Sequence, residues 1–159
     1  MKNWRFFVVS LMVVILDRYS KYLIYQYLEP FAIQPIIKGF NFILVFNTGS
    51  AFSFLSTAGS WHMWFFMLFS AVMSVVIAIW MWRTSFCKYS LLSGLSLLLG
   101  GALGNLIDRI IYGHVIDFID IYYKNYHWPA FNVADAAICL GAIFLMFTKD
   151  LTSAKTAND

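Results

Sequence analysis

The hydrophobic positions of the chain fall into four long segments, which are separated by shorter polar or aromatic stretches. The segments cover about residues 4–28, 61–82, 89–111 and 131–148. Because a helix crosses a bilayer core with about 20 mostly apolar residues, each segment predicts a membrane-spanning helix. Lys2 and Arg5 precede the apolar run at 6–16 as in a signal peptide, but the first segment continues as DRYSKYLIY without a cleavage site, so we expect it to remain uncleaved.

Two stretches between these segments differ from ordinary loops. Residues 39–55, GFNFILVFNTGSAFSFL, are rich in aromatic and β-branched residues around the turn NTG, which predicts a short strand pair. Residues 122–132, YYKNYHWPAFN, are expected at headgroup depth, and the part from Lys124 to Trp128 is a candidate lid. The pattern therefore predicts a single domain, 1–159, that is an all-α membrane protein: four transmembrane helices with a small extracytoplasmic β-hairpin that forms a cradle.

The composition agrees with a membrane protein. Charged residues make up 12% of the chain and hydrophobic residues 61%, whereas an ordinary soluble domain is about 25% charged. The net charge is only +3, and the sequence has no basic run with interleaved aromatic residues. Nucleic acid is therefore not expected as a partner.

The positions of Lys and Arg predict the orientation in the membrane. Two of the three connections between the segments hold only Lys38 and Lys124. The chain ends and the connection between the second and third segments hold six more: Lys2, Arg5, Arg83, Lys88, Lys149 and Lys155. Cytoplasmic loops carry the excess of Lys and Arg, so both termini are predicted to be cytoplasmic.

The cysteines and histidines do not suggest a metal site or a disulfide. Cys87 and Cys139 lie in different regions without a CxxC spacing, and the histidines at 62, 114 and 127 are scattered. No metal is expected on these grounds.

Polar side chains are concentrated near the outer ends of the predicted helices. Four separate segments contribute to this set: Asp17, Arg18, Lys21, Asn47, Asn105, Asp108, Arg109, Asp117, Asp120, Asn132 and Asp135. An ionised carboxylate in hydrocarbon is costly unless it is paired, solvated or protonated. Something must therefore compensate these charges.

Structural explanations remain open for part of this set. Asp17 and Lys21 have the i,i+4 order that favours an intrahelical ion pair. Asn132 and Asp135 have the spacing of a helix N-cap and its N3 acid. The GxxxG pattern at 100–104 lets a neighbouring helix approach closely.

A catalytic explanation rests on the surplus of acids. Two carboxylates held close together in a low-dielectric site tend to share one proton. In an aspartic protease the ionised carboxylate takes a proton from water, and the protonated one donates to the scissile carbonyl oxygen. The sequence has no GxSxG elbow and no HExxH helix, so serine and zinc chemistries have little support. A non-catalytic proton-conducting or lipid-binding bundle remains the alternative.

Five short motifs follow one another along nearly the whole chain. They are DRYSK at 17–21, NTGSAFS at 47–53, GGALGNLIDR at 100–109, VIDFID at 115–120 and FNVADAA at 131–137. In this order, and on four predicted spans, they resemble the motifs of bacterial lipoprotein signal peptidase, also called signal peptidase II. Ser50 stands where many relatives would carry Ala, a small-for-small change.

The resemblance implies an intramembrane aspartic endopeptidase in the bacterial cytoplasmic (inner) membrane. Its substrates would be diacylglyceryl-modified prolipoproteins, which the family cuts just before the lipidated cysteine. The catalytic pair of the family falls on Asp117 and Asp135, and Asp120 is then interpreted as a solvated or structural neighbour. Supporting positions near the active site fall on Asp17, Lys21, Asn47, Asn105, Asp108, Arg109 and Asn132.

The resemblance also implies roles for some of these residues. Asn47, Asn105 and Arg109 are expected to hold the substrate backbone or its lipid-bearing part, and Asn132 to orient Asp135. No metal or organic cofactor is implied. The expected partners are the prolipoprotein substrates and membrane lipids, and we expect a monomer.

Overall fold

The computed structural model describes residues 3–49 and 61–148. Its four helices are α1 (Trp4–Tyr27), α2 (Trp61–Arg83), α3 (Tyr89–Tyr112) and α4 (Val133–Met146). Its four strands are β1 (Ile33–Ile37), β2 (Phe40–Asn47), β3 (Val115–Tyr123) and β4 (Tyr126–His127).

The helices differ in how well they suit a membrane. In the described part of the chain, α2 and α3 are long and apolar enough to cross a bilayer by length and composition, and α4 is a shorter apolar helix. α1 has the same length as α3, 24 residues, but carries Asp17, Arg18 and Lys21 in its second half. The described residues therefore contain four helices, two of them strongly apolar.

α3 is the central helix, and glycines let its neighbours approach it closely. It contacts α1, α2 and α4. A Cβ added at Gly100 would lie 2.6 Å from the Cβ of Val13 on α1, and one added at Gly101 would lie 2.3 Å from the carbonyl oxygen of Ala134 on α4. The close approach predicted from the GxxxG pattern is present, and it packs α1 and the first turn of α4 against the middle of α3.

The strands form one antiparallel sheet in the order β1-β2-β3-β4. The sequence predicted a strand pair around the turn at 47–49. β2 does end at Asn47, but the predicted second strand, at 50–55, lies outside the described residues. The partners of β2 in the structure are β1 and β3. The prediction of four helices with a small β region is therefore confirmed in part: over the described residues the sheet has four strands rather than a single hairpin, and it joins segments far apart in the chain.

Two apolar clusters stabilise these elements. One lies between α2 and α3 and is formed by Ile77, Met81, Leu91, Leu92, Leu95 and Leu99. The other lies under the sheet and contains Ile24, Leu44, Ile116 and Phe118. Because side chains alternate along a strand, Asp117 of β3 points away from the cluster that holds its neighbours Ile116 and Phe118.

Candidate active site

The first turn of α4 brings two of the predicted site residues together. Asn132 is the N-cap, and its Oδ1 accepts a hydrogen bond from the backbone N–H of Asp135 at 2.9 Å. The Oδ2 of Asp135 accepts from the backbone N–H of Asn132 at 3.3 Å, which completes a capping box. The predicted cap is therefore present, and it places the Asp135 carboxylate at the positive end of the helix dipole.

The side chain of Asn132 also reaches Asp117. Its Nδ2 donates to Oδ1 of Asp117 at 2.7 Å. Asn132 is fully buried, and Asp117, on β3, is only 2% exposed. One asparagine thus links the two aspartates that the resemblance singles out as a catalytic pair.

The pairing of β2 with β3 supplies a second donor to Asp117. Asn47 stands opposite Val115 at the end of β2, and its Nδ2 donates to Oδ2 of Asp117 at 2.9 Å. The Oδ1 of Asn47 accepts from the backbone N–H of Gly49 at 2.8 Å. Because its oxygen is engaged by a donor, the amide of Asn47 is held with its NH2 group toward Asp117.

Asn105, on α3, supplies the corresponding donor to Asp135. Its Nδ2 donates to Oδ1 of Asp135 at 2.7 Å. Its Oδ1 lies 3.3 Å from the Nζ of Lys21 and 3.3 Å from the Nδ2 of Asn132. Both of these groups are donors, so the oxygen of Asn105 must face them and its NH2 group must face Asp135.

Beneath the pair lies a buried charged network centred on Lys21. Its Nζ is 2.7 Å from Oδ2 of Asp17 and 2.7 Å from Oδ2 of Asp108. The ion pair predicted from the i,i+4 spacing of Asp17 and Lys21 is therefore present. Arg18 pairs with Asp108 from the more exposed side. A buried charge needs such partners, because breaking a buried pair strands the remaining charge.

This network also fixes the positions of α4 and β3, the elements on which Asp135 and Asp117 lie. Oδ1 of Asp17 accepts from the backbone N–H of Ala134 in the first turn of α4 at 2.9 Å. Oδ2 of Asp108 accepts from the backbone N–H of Ile116 on β3 at 3.2 Å. α1 and α3 thereby fix the backbone next to Asp135 and next to Asp117.

Arg109 borders a cavity of about 310 Å³ between α2, α3 and α4. Most of the lining is apolar, as at Phe66 and Met73, and Asp135 lies at its polar end. The guanidinium of Arg109 lies 5.8 Å from the ring centroid of Phe66, and its Nη1 is 3.4 Å from the Oγ of Ser70. Both α2 contacts hold the charge of Arg109 beside the cavity.

Asp117 borders a second cavity, of about 250 Å³, on the side of the sheet. Burial raises the pKa of Asp117 to about 7, and the negative charge of Asp135 contributes to the increase. Hydrogen bonds from Asn47 and Asn132 act in the opposite direction but are outweighed. The two aspartates are thus close enough to interact electrostatically, and a substantial fraction of Asp117 is protonated near neutral pH.

Asp120 is held apart from this pair. It is 5% exposed, so it is buried rather than solvated. Its Oδ2 accepts from the Nδ2 of Asn41 at 2.7 Å, and the Nδ1 of His127 lies 2.8 Å from its Oδ1. Of the two interpretations drawn from the sequence, the structural neighbour is the one that the structure supports.

Sequence reasoning missed Asn41, His127 and Ser70 as polar contacts of these residues. A signal for the first two existed. Position 120 shares a strand face with the buried Ile116 and Phe118, so an acid there requires polar partners. Over residues 3–49 and 61–148, no group of three or more His, Cys, Asp or Glu side chains could hold a metal ion.

Comparison with known proteins agrees with the resemblance drawn from the motifs. Residues 9–149 match the family model described as signal peptidase (SPase) II. The lipoprotein signal peptidase of Coxiella burnetii (strain RSA 493) is 45% identical over 154 residues, which cover 95% of this chain and 93% of that protein. The lipoprotein signal peptidase of Cellvibrio japonicus is 42% identical over 156 residues, covering 98% of this chain and 92% of that protein.

Two solved structures share the fold. Both are described as bacterial membrane enzymes determined by the in meso method, at 2.3 and 1.9 Å resolution, and both are 29% identical to this chain. The first has a TM-score of 0.81 and covers 98% of this chain and 93% of its own, and the second has a TM-score of 0.78 and covers 89% and 90%. The protein is therefore an integral membrane protein, and its chain belongs to the signal peptidase II family of peptidases.

Proposed function

We propose that the protein removes the signal peptide from diacylglyceryl-modified prolipoproteins by cutting just before the lipidated cysteine. Relatives named lipoprotein signal peptidase, similar over nearly the whole chain, support this substrate class. The observation that carries the catalytic part is the link that Asn132 makes between Asp117 and Asp135. The alternative, a proton-conducting or lipid-binding bundle, is not favoured because the family is one of peptidases.

The surroundings of the two aspartates favour an aspartic mechanism with distinct roles. Asp135 accepts N–H groups from Asn105 and Asn132 at the start of α4, and it lines the same cavity as the cationic Arg109. These contacts stabilise an ionised carboxylate. Asp117, with its pKa raised to about 7, is the acid that keeps the proton.

Each proton then has a place in the reaction. Asp135 takes a proton from water while the water oxygen bonds to the scissile carbonyl carbon, and Asp117 gives its proton to the carbonyl oxygen. When the C–N bond breaks, Asp135 gives its proton to the leaving nitrogen, and a hydroxyl proton returns to Asp117. One water is consumed, and the pair ends with the single proton with which it began.

The two cavities suggest how a substrate lies across the pair. The cavity that ends at Asp135 and Arg109 is mainly apolar and follows the helices, so it suits the apolar part of the signal peptide or the acyl chains. Arg109 is placed to donate to carbonyl oxygens of the substrate there. Because the amides of Asn47 and Asn105 contact the aspartates, we assign these asparagines to the pair rather than to the substrate.

We further propose that α1, α2, α3 and α4 all cross the bacterial cytoplasmic membrane, with both termini in the cytoplasm and the pair toward the outer leaflet. The length and composition of α2 and α3 support two of these crossings. The concentration of Lys and Arg at the chain ends and after α2 supports the orientation. The protein acts as a monomer surrounded by membrane lipids.

The test is a processing assay with purified protein in a bilayer and a prolipoprotein with or without its diacylglyceryl group. The proposal predicts that only the lipidated form is cut and that the new N-terminus is the lipidated cysteine. Equal cleavage of both forms, or a cut elsewhere, contradicts the substrate assignment. Cleavage of neither form by a folded protein contradicts the function.

A further inference from the structure

Asp120 is a buried acid that the proposed mechanism does not use. Its Oδ2 accepts from the Nδ2 of Asn41 at 2.7 Å, and its two oxygens lie 2.8 and 3.0 Å from the Nδ1 of His127. An ionised carboxylate only accepts hydrogen bonds, so Nδ1 carries the proton in this contact. One carboxylate therefore joins β2, β3 and β4. We call Asn41, Asp120 and His127 the clasp.

The clasp adjoins a short segment that runs beside β3. After His127, the backbone N–H of Trp128 donates to the carbonyl oxygen of Ile121 at 2.8 Å. Three residues later, Phe131 donates to the carbonyl oxygen of Ile119 at 3.1 Å, and Ile119 donates to that of Phe131 at 2.8 Å. The segment is thus attached to β3 at both ends.

Between these attachments the pairing is irregular. Pro129 and Ala130 stand opposite the single residue Asp120, which is the geometry of a β-bulge. Pro129 has no N–H to donate to β3. Both residues form part of the wall of the 250 Å³ cavity beside Asp117. The position of this wall therefore depends on how firmly the two ends of the segment are held, and the clasp holds the end at His127.

The chemistry of this cavity indicates which part of a substrate enters it. It opens between sheet residues rather than along the helices, and Asn47, Thr48 and Asp117 give it polar walls. The apolar signal peptide fits the other cavity, whereas the chain that follows the lipidated cysteine lies in the water outside the bilayer. The volume of the cavity beside Asp117, about 250 Å³, suits a single residue of the substrate.

We propose that the clasp is a specificity-determining element: by holding Pro129 and Ala130 in place, it limits the size of the residue that follows the lipidated cysteine. This inference rests on the proposed function, because the occupant of the cavity is the substrate of that reaction.

The experiment uses two lipidated prolipoprotein substrates that differ only in the residue after the cysteine, Ser in one and Trp in the other. The selectivity is the ratio of kcat/KM for the Ser substrate to kcat/KM for the Trp substrate. It is measured for the wild type, Asp120→Asn, His127→Ala and the double variant. Glu29→Gln is the matched control, since it also neutralises an acid on the predicted outer side but at an exposed position away from the clasp.

We expect the wild type to prefer the Ser substrate and each clasp variant to lose about tenfold in selectivity through faster cleavage of the Trp substrate. The loss of selectivity in the double variant should be no greater than that in the more strongly affected single variant, because the two residues act through one contact. Glu29→Gln should keep the wild-type ratio. His127→Ala alters a half-exposed side chain, so it decides the question if Asp120→Asn does not fold.

The inference is overturned if the wild type cuts both substrates equally well, if the ratio is unchanged in His127→Ala, or if Glu29→Gln lowers the ratio as much. In each of these results the Ser substrate is still cut before the cysteine, so the proposed function stands. If the wild type cuts neither substrate, the proposed function itself fails.

Discussion

Among the contacts of Asn132 are two whose contributions a pair of substitutions can separate. Its Oδ1 caps α4, and its Nδ2 donates to Asp117. Serine is also a good N-cap but has no amide group to reach Asp117. We predict that Asn132→Ser lowers kcat by about 10²-fold, as for the loss of one oriented donor at a reacting centre, with little loss of stability.

Asn132→Ala removes both contacts, so it should show the same loss of kcat and a further loss of about 1 kcal/mol in the free energy of unfolding. The two quantities are measured by the processing assay and by thermal unfolding in detergent. A wild-type kcat in Asn132→Ser would show that the contact with Asp117 does not matter for the reaction.

The pKa of Asp117 predicts how activity depends on pH. Because burial and the charge of Asp135 raise this pKa to about 7, the acid that protonates the carbonyl oxygen is present below pH 7 and is lost as the pH rises. In the proposed mechanism kcat/KM should therefore fall about tenfold per pH unit above pH 7, since kcat/KM reports the ionisation of the free enzyme. The profile is measured between pH 5 and pH 9 with the lipidated substrate. A constant or rising kcat/KM up to pH 9 would contradict the assignment of the proton to Asp117.

At the scale of single residues the sequence could predict much of the site, because a polar side chain is conspicuous in an apolar helix. Asn132 and Asp135, or Asp17 and Lys21, are also close in sequence, so their contact follows from helix geometry. Asn41 and Asp120 are 79 residues apart, and only the pairing of β2 with β3 brings them together. Such a contact has no local pattern from which it could be predicted.

At the scale of elements, the contact between α3 and α4 depends on Gly101. A Cβ at this position would lie 2.3 Å from the carbonyl oxygen of Ala134, the residue before Asp135. Gly101→Ala should therefore push apart the two helices, displace Asp135 and lower kcat by about 10²-fold, as a misplacement of about 1 Å can.

The measurement is kcat in the processing assay, together with the unfolding temperature. Ile110→Ala is the control, because Ile110 is on the same helix and is 64% exposed. The activity of this variant should match that of the wild type. Unchanged activity in Gly101→Ala would mean that α4 can shift without disturbing the pair.

The elements themselves were unequally predictable. The helices follow from long apolar runs, whereas the sheet does not follow from any one run. β1 is short, contains Pro35 and lies at the edge, which weakens its strand pattern. The sequence of β3 is conspicuous for its acids rather than for an alternation of apolar and polar residues, and its pairing with β2 is non-local. The candidate lid at Lys124–Trp128 stays a prediction, and unchanged processing by Trp128→Ala would count against it.

At the scale of the whole molecule, the proposed topology predicts which positions can be labelled from outside the cell. Cys87 is exposed in the connection between α2 and α3, which is proposed to be cytoplasmic. Asn125 is exposed in the turn between β3 and β4, on the proposed outer side. In a Cys139→Ser background, a membrane-impermeant maleimide should leave Cys87 unlabelled in intact cells.

The same reagent should label the variant that combines Asn125→Cys with Cys87→Ser. Lysed cells are the control, because both proteins should then react. Labelling of Cys87 from outside would reverse the proposed orientation. The sequence suggests this topology from the positions of Lys and Arg.

The central claim is that Asp117 and Asp135 together perform the cleavage. The most direct measurement is the rate of signal-peptide removal from a lipidated prolipoprotein by Asp117→Asn and by Asp135→Asn, which keep the side-chain shape and remove the carboxylate. The cleavage rate of each variant should be at least about 10³-fold lower than that of the wild type, since neither proton transfer can be replaced. Each variant should remain folded and bind substrate. Glu29→Gln should cleave at the wild-type rate. Cleavage that survives in either aspartate variant would contradict the account, and Asp120 would then be the next residue to test.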